Sequence, residues 1–146
     1  MIKKILVPVD GSAHSKKALE FACELAKKFE SELRLLHVVQ PPISTQTMAV
    51  GGSAVTTEVS REDLKEIGRN MIEAAKQVAS NHDCTKVETQ IEAGLPAHHI
   101  LDAAKKHDAD LIVMGSRGLS DIAGLLLGSV SHKVTHLAEC SCLTIR

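Results

Sequence analysis

The sequence is poor in aromatic residues, with two Phe and neither Tyr nor Trp. Proteins that bind single-stranded nucleic acid stack bases on aromatic side chains, so such a platform is poorly supplied here. The 17 basic and 18 acidic residues leave a formal net charge of -1, which gives no general attraction to nucleic acid or to anionic lipid. Neither nucleic acid nor a membrane surface is therefore expected as a partner.

Long apolar runs are also missing. No stretch approaches the roughly 20 residues of a membrane span or the roughly 7 to 15 residues of a signal-peptide core, so we expect a cytoplasmic protein. The four cysteines are scattered, and Cys140-x-Cys142 lacks the second ligand pair of a structural zinc site. Oxidation or metal binding at this pair is a minor alternative, and Cys23 is expected to be packed inside a helix.

Length and composition fit one folded domain. A chain of 146 residues has the size of an ordinary domain and can bury one core. Its content of 44% hydrophobic and 24% charged residues is typical of a globular protein. We expect a single domain spanning residues 1–146.

Short apolar runs alternate along the chain with segments of helical period. We expect strands over residues 2–9, 33–39, 86–92, 111–114 and 142–145, separated by four helices. Such alternation predicts an α/β fold, a single open five-stranded parallel sheet with helices on both faces and strand order 3-2-1-4-5. The third strand alternates apolar and polar residues, which places it at an edge of the sheet.

Helix-start signals mark three of the helices. Ser12 can cap the first, Ser60-x-x-Asp63 resembles the capping box of the second, and Pro96 suits the first turn of the third. The second helix also has an apolar face at helical spacing, formed by Leu64, Ile67, Met71, Ala74 and Val78.

Residues 41–57 show no convincing period, and Gly51-Gly-Ser-Ala is flexible by composition. Two interpretations stay open for this segment. It is either a mobile connection, or a lid or partner-contacting flap beside a binding site.

The most informative stretch runs from Asp110 to Ser131. Its four apolar residues 111–114 form a short buried strand, and the spacing Gly115-x2-Gly118-x9-Gly128-Ser129 leads from that strand into a helix. The first N–H groups of a helix lack main-chain partners and carry the positive end of the helix dipole, so glycines there let a phosphate approach closely. The alternative is that these glycines only form turns.

A second observation supports a binding site. In an open parallel sheet, ligands bind beyond the carboxyl ends of the strands, where the strand order reverses. With the order 3-2-1-4-5, that point lies between the first strand, which ends at Asp10, and the fourth, which ends at Gly115. Asp10 and the glycine-rich segment therefore converge from opposite ends of the sequence, although Asp10 could also be a simple turn or cap residue.

The glycine-rich segment resembles the nucleotide-binding signature of the universal stress protein family, in its ATP-binding branch. The resemblance covers nearly the whole chain, including Ile5-Leu-Val-Pro-Val-Asp-Gly-Ser12, Ala109-Asp-Leu-Ile-Val-Met-Gly115 and Leu127-Gly-Ser-Val-Ser131. It implies an adenine nucleotide alpha hydrolase-like sheet and ATP as the ligand. Mg²⁺ or Mn²⁺ could bridge the phosphates, but no protein cage for a metal is evident. A Walker A loop is excluded because the sequence has no Gly-Lys pair.

The expected ligand contacts divide by chemistry. Phosphates would be held by main-chain N–H groups, serine hydroxyls and an arginine, supplied by Gly115, Arg117, Gly118, Gly128, Ser129 and Ser131. Asp10 would accept hydrogen bonds from ribose hydroxyls. The resemblance implies that the main chain at Val38 and Val39, at the end of the second strand, reads the adenine edge, and that Pro8 and Val9 line the same wall. Met114 and Val130 complete the predicted site.

No catalytic residue is predicted. Hydrolysis needs a positioned base, and inside the glycine-rich segment Asp121 alone could serve. His132 and His136 lie four residues apart, but no third metal ligand is evident. His37 is expected to be packed.

The residues and the resemblance together predict an ATP-binding regulatory or stress-response protein whose nucleotide state is read by an unknown protein partner. Two alternatives are an adenine-nucleotide hydrolase-type enzyme with slow turnover and a nucleotide-free dimeric interaction module. The resemblance also implies a homodimer through the last strand, residues 142–145. Ser141 and Cys142 depart from the proline and valine that are frequent there in the family.

Overall fold

A computed structural model of the chain describes residues 1–40, 48–50, 53–55, 60–119 and 127–146. The strands are β1 (Lys4–Pro8), β2 (Glu32–Val39), β3 (Met48–Val50), β4 (Ser53–Val55), β5 (Val87–Ala93), β6 (Leu111–Gly115) and β7 (Ser141–Ile145). The helices are α1 (Ala13–Phe29), α2 (Arg61–Asn81), α3 (Pro96–Lys106) and α4 (Ser129–Leu137). None of these helices is long and apolar enough to cross a membrane.

Five strands form one parallel sheet in the order β5-β2-β1-β6-β7. Counted along the chain without the β3–β4 pair, this is the order 3-2-1-4-5, so the predicted fold class and topology are confirmed. The expected edge position of the third predicted strand is confirmed as well, because β5 ends the sheet on one side.

Two hydrophobic clusters lie on opposite faces of the sheet. Helices α1 and α2 pack on one face around Val7 and Leu35, and α3 and α4 pack on the other around Leu6 and Leu36. Successive side chains of a strand point to opposite faces, so strands buried on both sides need apolar residues at every position. This explains the continuous apolar runs at residues 5–7 of β1 and 111–114 of β6.

The helix-start signals act as predicted. The Ser12 hydroxyl accepts a hydrogen bond of 3.1 Å from the Ser15 amide, and Ser60 and Asp63 form a reciprocal capping box. Pro96 occupies the first turn of α3. Helix α4 differs, because Gly128 stands at its N-cap and no side chain caps its first turn.

Helix α2 turns a different face to the sheet from the one predicted. Its buried residues are Gly68, Ile72, Ala75 and Ala79, whereas Ile67 of the predicted face is 50% exposed. A methyl group added at Gly68 would lie 2.8 Å from a side-chain carbon of Ile91 on β5. Close approach of helix and sheet therefore requires a glycine at this position. Leu64, Ile67 and Met71 of the predicted face lie instead at the carboxyl ends of the strands.

A short hairpin lies inside the segment for which no regular structure was predicted. Strands β3 and β4 pair antiparallel, with Met48 opposite Val55 and Val50 opposite Ser53. Two glycines separate the strands in the sequence, and Gly-Gly is a common pair between the strands of a hairpin. The remainder of 41–57 lies outside the described residues, so the choice between connection and lid stays a prediction.

Strands β1 and β6 are joined at one end only. Their paired residues are Ile5 with Leu111 and Leu6 with Ile112, whereas β1 pairs with β2 along its whole length. At the amino end, the Asp110 carboxylate accepts hydrogen bonds from the main-chain amides of Lys3 (2.7 Å) and Lys4 (2.9 Å). These bonds hold the pKa of Asp110 below its ordinary value. The two strands are therefore held together where they begin and separate toward their carboxyl ends.

Candidate functional site

A cavity of about 540 Å³ opens at the carboxyl ends of β1, β2 and β6, beside the separation of β1 from β6. It lies at the point where the strand order reverses, which is where an open parallel sheet binds its ligands. All the predicted site residues except Gly128 line this cavity, namely Pro8, Val9, Asp10, Val38, Val39, Met114, Gly115, Arg117, Gly118, Ser129, Val130 and Ser131.

The first turn of α4 opens into this cavity. The first amide with a helical acceptor is that of His132, which donates to the Gly128 oxygen at 2.8 Å. Within the part of the chain that the structure describes, the amides of Ser129, Val130 and Ser131 have no acceptor, and no side chain caps them. Three main-chain donors at the positive end of a helix dipole form a ready site for an anion.

Two groups assigned to phosphate in the sequence have other partners. The Gly128 amide donates to the Ser116 main-chain oxygen at 2.6 Å. The buried Ser131 hydroxyl lies 2.9 Å from the same oxygen and 3.0 Å from the Gly128 oxygen, and its one hydrogen is shared between these two acceptors. These bonds join the two ends of the glycine-rich segment and supply donors to the main-chain oxygens of Ser116 and Gly128. They correct the roles predicted for the Gly128 amide and the Ser131 hydroxyl, neither of which is a free donor.

Gly115 is required by packing as well as by its place in the motif. A Cβ atom at this position would lie 2.9 Å from the main-chain carbon of His14, from its Cβ and from the Ser15 amide nitrogen. The end of β6 therefore runs directly against the first turn of α1. This contact holds the glycine-rich segment close to the turn that follows β1.

Asp10 organises that turn and also reaches the cavity. Its Oδ1 accepts a hydrogen bond of 2.9 Å from the Ser12 amide, and its own amide donates to the Ser15 hydroxyl at 3.2 Å. The intervening Gly11 has φ +81°, a conformation that favours glycine. Among the described residues, the second carboxylate oxygen of Asp10 has no hydrogen-bond partner. Asp10 therefore holds the turn with Oδ1 and keeps its second carboxylate oxygen, Oδ2, available as an acceptor on the cavity wall.

The sequence did not identify the outer walls of the cavity. They come from β2, from the first turns of α1 and α3, from the amino-terminal half of α2 and from the glycine-rich segment, and comprise Ser15, Leu36, His37, Gln40, Leu64, Ile67, Met71, Pro96, Ile100 and Leu119. Helix N-termini follow each strand end in an alternating fold, so a topology-based search would have found the α1 and α3 residues. Whether the α2 residues line the cavity depends on which face of this helix packs on the sheet, and the sequence did not show that face.

His132 and His136 are not among the described residues that line the cavity. His132 and His136 stack with parallel rings 6.4 Å apart on α4. Across the described residues, no group of three or more His, Cys, Asp or Glu side chains is arranged to hold a metal ion. Asp121, the base considered for hydrolysis, lies outside the described residues.

Comparison with known proteins agrees with this geometry. A model of the universal stress protein family matches residues 1–146. The chain is also 40% identical over 149 residues to the universal stress protein YxiE of Bacillus subtilis (strain 168), with 100% of both chains covered. The chain belongs to the universal stress protein family.

Solved structures of universal stress proteins share the fold. UspA from Lactobacillus plantarum has a TM-score of 0.74 at 27% identity, covering 99% of this chain and 98% of that one. A universal stress protein in complex with cAMP has a TM-score of 0.74 at 24% identity, with 99% and 97% covered. A universal stress protein family protein from Arabidopsis thaliana with AMP bound has a TM-score of 0.64 at 24% identity, with 98% and 90% covered.

Proposed function

We propose that this universal stress protein binds an adenine nucleotide, with ATP as the expected form, in the cavity at the carboxyl ends of β1, β2 and β6. The observation that carries the proposal is the uncapped first turn of α4, whose residues Ser129, Val130 and Ser131 line the same cavity as Asp10. Such a cavity can hold a ligand with an anion at one end and a polar, hydroxyl-bearing part beside it. A nucleotide has this arrangement of groups.

The phosphate end of the proposed ligand lies at α4. The Ser129, Val130 and Ser131 amides donate to phosphate oxygens, and Arg117 on the same wall adds a permanent positive charge. The described residues hold no cluster of metal ligands. A Mg²⁺ or Mn²⁺ ion would therefore be held mainly by the phosphates, with water completing its shell.

The nucleoside end lies toward β1 and β2. The free oxygen of Asp10 accepts a hydrogen bond from a ribose hydroxyl. It does not contact the phosphate, because two negative charges repel each other. Beyond Asp10 the wall is apolar, formed by Val9, Val38, Val39 and Met114. A planar adenine ring buries its faces against such a wall. The AMP and cAMP complexes of structurally similar universal stress proteins support this choice of base.

A proline substitution can test the phosphate contact without disturbing the helix. Ser129 is the first residue of α4, where proline is favoured, and Gly128 has φ -71° and ψ 163°, as a residue before proline requires. Ser129→Pro removes the amide donor and the hydroxyl, whereas the matched control Ser129→Ala removes the hydroxyl alone. Loss of a hydrogen bond to a charged group predicts a Kd for AMP or ATP at least roughly tenfold higher in Ser129→Pro than in Ser129→Ala.

Isothermal titration calorimetry with AMP, and with ATP plus magnesium, measures this difference. Equal affinities in the two variants would place the phosphate away from α4. An absence of heat with millimolar nucleotide in the folded wild-type protein would remove the proposal as a whole. Mass spectrometry of any ligand released from freshly purified protein identifies the nucleotide that the protein carries.

We extend the proposal to a regulatory role as a homodimer, with the nucleotide state read by a protein partner. The sheet order ends at β7, which pairs with β6 on its inner side. The outer side of a terminal strand presents main-chain donors and acceptors to other chains. Pairing of residues 142–145 with the same strand of a second copy about a two-fold axis would occupy both edges at once.

A further inference from the structure

His37 is a buried side chain on the wall of the cavity, with 8% of its surface exposed. Its Nδ1 lies 2.8 Å from the main-chain oxygen of Val9. A carbonyl oxygen can only accept, so Nδ1 carries the hydrogen of this bond. In the neutral ring the other nitrogen, Nε2, is therefore a hydrogen-bond acceptor.

The ring is fixed by the end of the β1–β2 ladder. The Val9 amide donates to the Leu36 oxygen at 2.8 Å, and the Val9 oxygen receives the His37 side chain. The main chain of His37 is itself held in β2, in register with Ile91 of β5. His37 thus stands on a central strand with one nitrogen anchored, so the position of the other is determined by the fold.

The second nitrogen has no hydrogen-bond partner among the residues that the structure describes. In the described part of the chain, the fully enclosed side-chain atoms without a partner are Gln90 Oε1 and Ser116 Oγ. His37 lines the cavity with a small part of its surface exposed, and Nε2 is the ring nitrogen that is not bonded to Val9. An acceptor held rigidly in a mostly apolar wall is suited to select a ligand that carries a donor.

The place of His37 in the sheet indicates which half of a nucleotide it meets. The proposed phosphate site is at α4, which follows β6, whereas His37 is on β2 and β1 lies between the two strands. Two inter-strand spacings separate β2 from β6 by roughly 10 Å. A ligand with its phosphate at α4 therefore reaches β2 with its nucleoside half.

We propose that His37 is a specificity residue whose Nε2 accepts a hydrogen bond from a donor on the nucleoside, and so favours nucleotides that carry that donor. The inference rests on the proposed nucleotide site. The donor is an N–H or O–H group, supplied either by the exocyclic amine of adenine or by a ribose hydroxyl. The apolar neighbours Val9, Val38 and Val39 favour the amine, because they form the wall assigned to the base.

A pair of isosteric substitutions separates the two nitrogens of the ring. In His37→Asn, the side-chain amide can still donate to the Val9 oxygen, but the group at Nε2 is lost. In His37→Gln, the longer side chain can place its oxygen near the position of Nε2, while the bond to Val9 is lost. Thermal unfolding of both variants shows whether each remains folded before ligands are compared.

The binding assay compares AMP with analogues that each lack one donor. Purine riboside monophosphate lacks the exocyclic amine, and 2′-deoxy-AMP and 3′-deoxy-AMP each lack one hydroxyl. Wild-type protein is expected to bind AMP roughly 3- to 10-fold more tightly than the analogue that lacks the relevant donor. His37→Asn should bind the two ligands equally, and His37→Gln should keep part of the preference.

Each outcome bears on one of the two proposals. If wild-type protein binds AMP but His37→Asn shows the same preferences as wild type, the specificity role is overturned and the nucleotide site stands. If wild-type protein binds none of these nucleotides, the nucleotide site itself is overturned. Nitrogen-15 NMR of the imidazole gives a readout independent of mutation. It should show the Nδ1–H tautomer in the free protein and a shifted Nε2 resonance with AMP, and an unchanged Nε2 resonance in the AMP complex would contradict the contact.

Discussion

The amide of Gly128 donates a hydrogen bond of 2.6 Å to the main-chain oxygen of Ser116. This bond brings together the two ends of the glycine-rich segment and sets the start of α4 beside the end of β6. Gly128 is therefore a structural glycine at the N-cap, and the donors that face the cavity begin one residue later, at Ser129. Residues of the glycine-rich segment thus form two groups. The first, like Gly128, holds the shape of the segment, and the second, beginning with Ser129, can contact a ligand.

The Ser131 hydroxyl belongs to the first group. Ser131→Ala removes a buried donor to the Ser116 and Gly128 oxygens, and we expect it to lower the free energy of unfolding by about 1 kcal/mol. Urea denaturation measures the change, with the exposed Ser129→Ala as the matched control. Unchanged stability combined with lost nucleotide affinity would instead assign this hydroxyl to the ligand.

Gly115 allows us to test the contact between β6 and α1. Gly115→Ala places a methyl group 2.9 Å from main-chain atoms of His14 and Ser15, and such overpacking costs about 1 to 3 kcal/mol of stability. The neighbouring Ser116→Ala is the control, because it removes a buried hydroxyl that has no partner among the described residues. Equilibrium unfolding should show a large loss for the first variant and none for the second. Equal stabilities would contradict the close approach of strand and helix.

The buried thiol of Cys23 predicts a loss of stability at alkaline pH. Burial, with further contributions from the neighbouring Cys84, raises the pKa of Cys23 from 9.0 to about 12. Above the unfolded pKa the unfolded chain loses this proton while the folded protein keeps it. The stability present below about pH 9 therefore falls by about 1.4 kcal/mol per pH unit until the folded pKa is reached.

Urea denaturation under reducing conditions, from about pH 8 to about pH 11, measures this slope. The chain has no tyrosine, so phenol ionisation does not contribute. Cys23→Ala should have a shallower slope than the wild-type protein. Parallel slopes in the two proteins would show that Cys23 does not titrate differently on folding.

The proposed dimer makes a prediction about the last strand. A lysine on an edge strand opposes pairing with another chain, so Leu143→Lys should convert the dimer to a monomer in sedimentation velocity experiments. Because Leu143 packs partly against the core, circular dichroism must show that the variant is folded, and Thr144→Lys serves as a second variant. Leu137→Lys, at a position that is 52% exposed on α4, is the control. A folded Leu143→Lys protein that sediments as wild type would exclude pairing through β7.

The sequence predicted the sheet because its strands carry their own signals, an apolar run in β1 and β6 and an alternating pattern in β5, and helix-start residues such as Ser12 and Pro96 follow β1 and β5. It placed Asp10 and the glycine-rich segment at one site because the carboxyl ends of parallel strands meet at one place, and the family resemblance implied the wall at Val38 and Val39. It assigned the wrong role to the Gly128 amide because glycine spacing does not show which amide is already bonded. The prediction of which α2 residues face the sheet was wrong for a related reason. The side chains of Ile91 and Val39 leave room for no Cβ atom at Gly68, and the sequence of the helix alone does not show this contact.

Strands β1 and β6 share register only over their first residues and separate before the cavity. The hollow is thus a property of main-chain geometry. Replacements at the exposed lining residues Ile67 and Leu119, unlike those at Gly115 or Ser131, can accumulate with little effect on folding. The same separation makes the rim a suitable starting point for directed evolution toward new ligands.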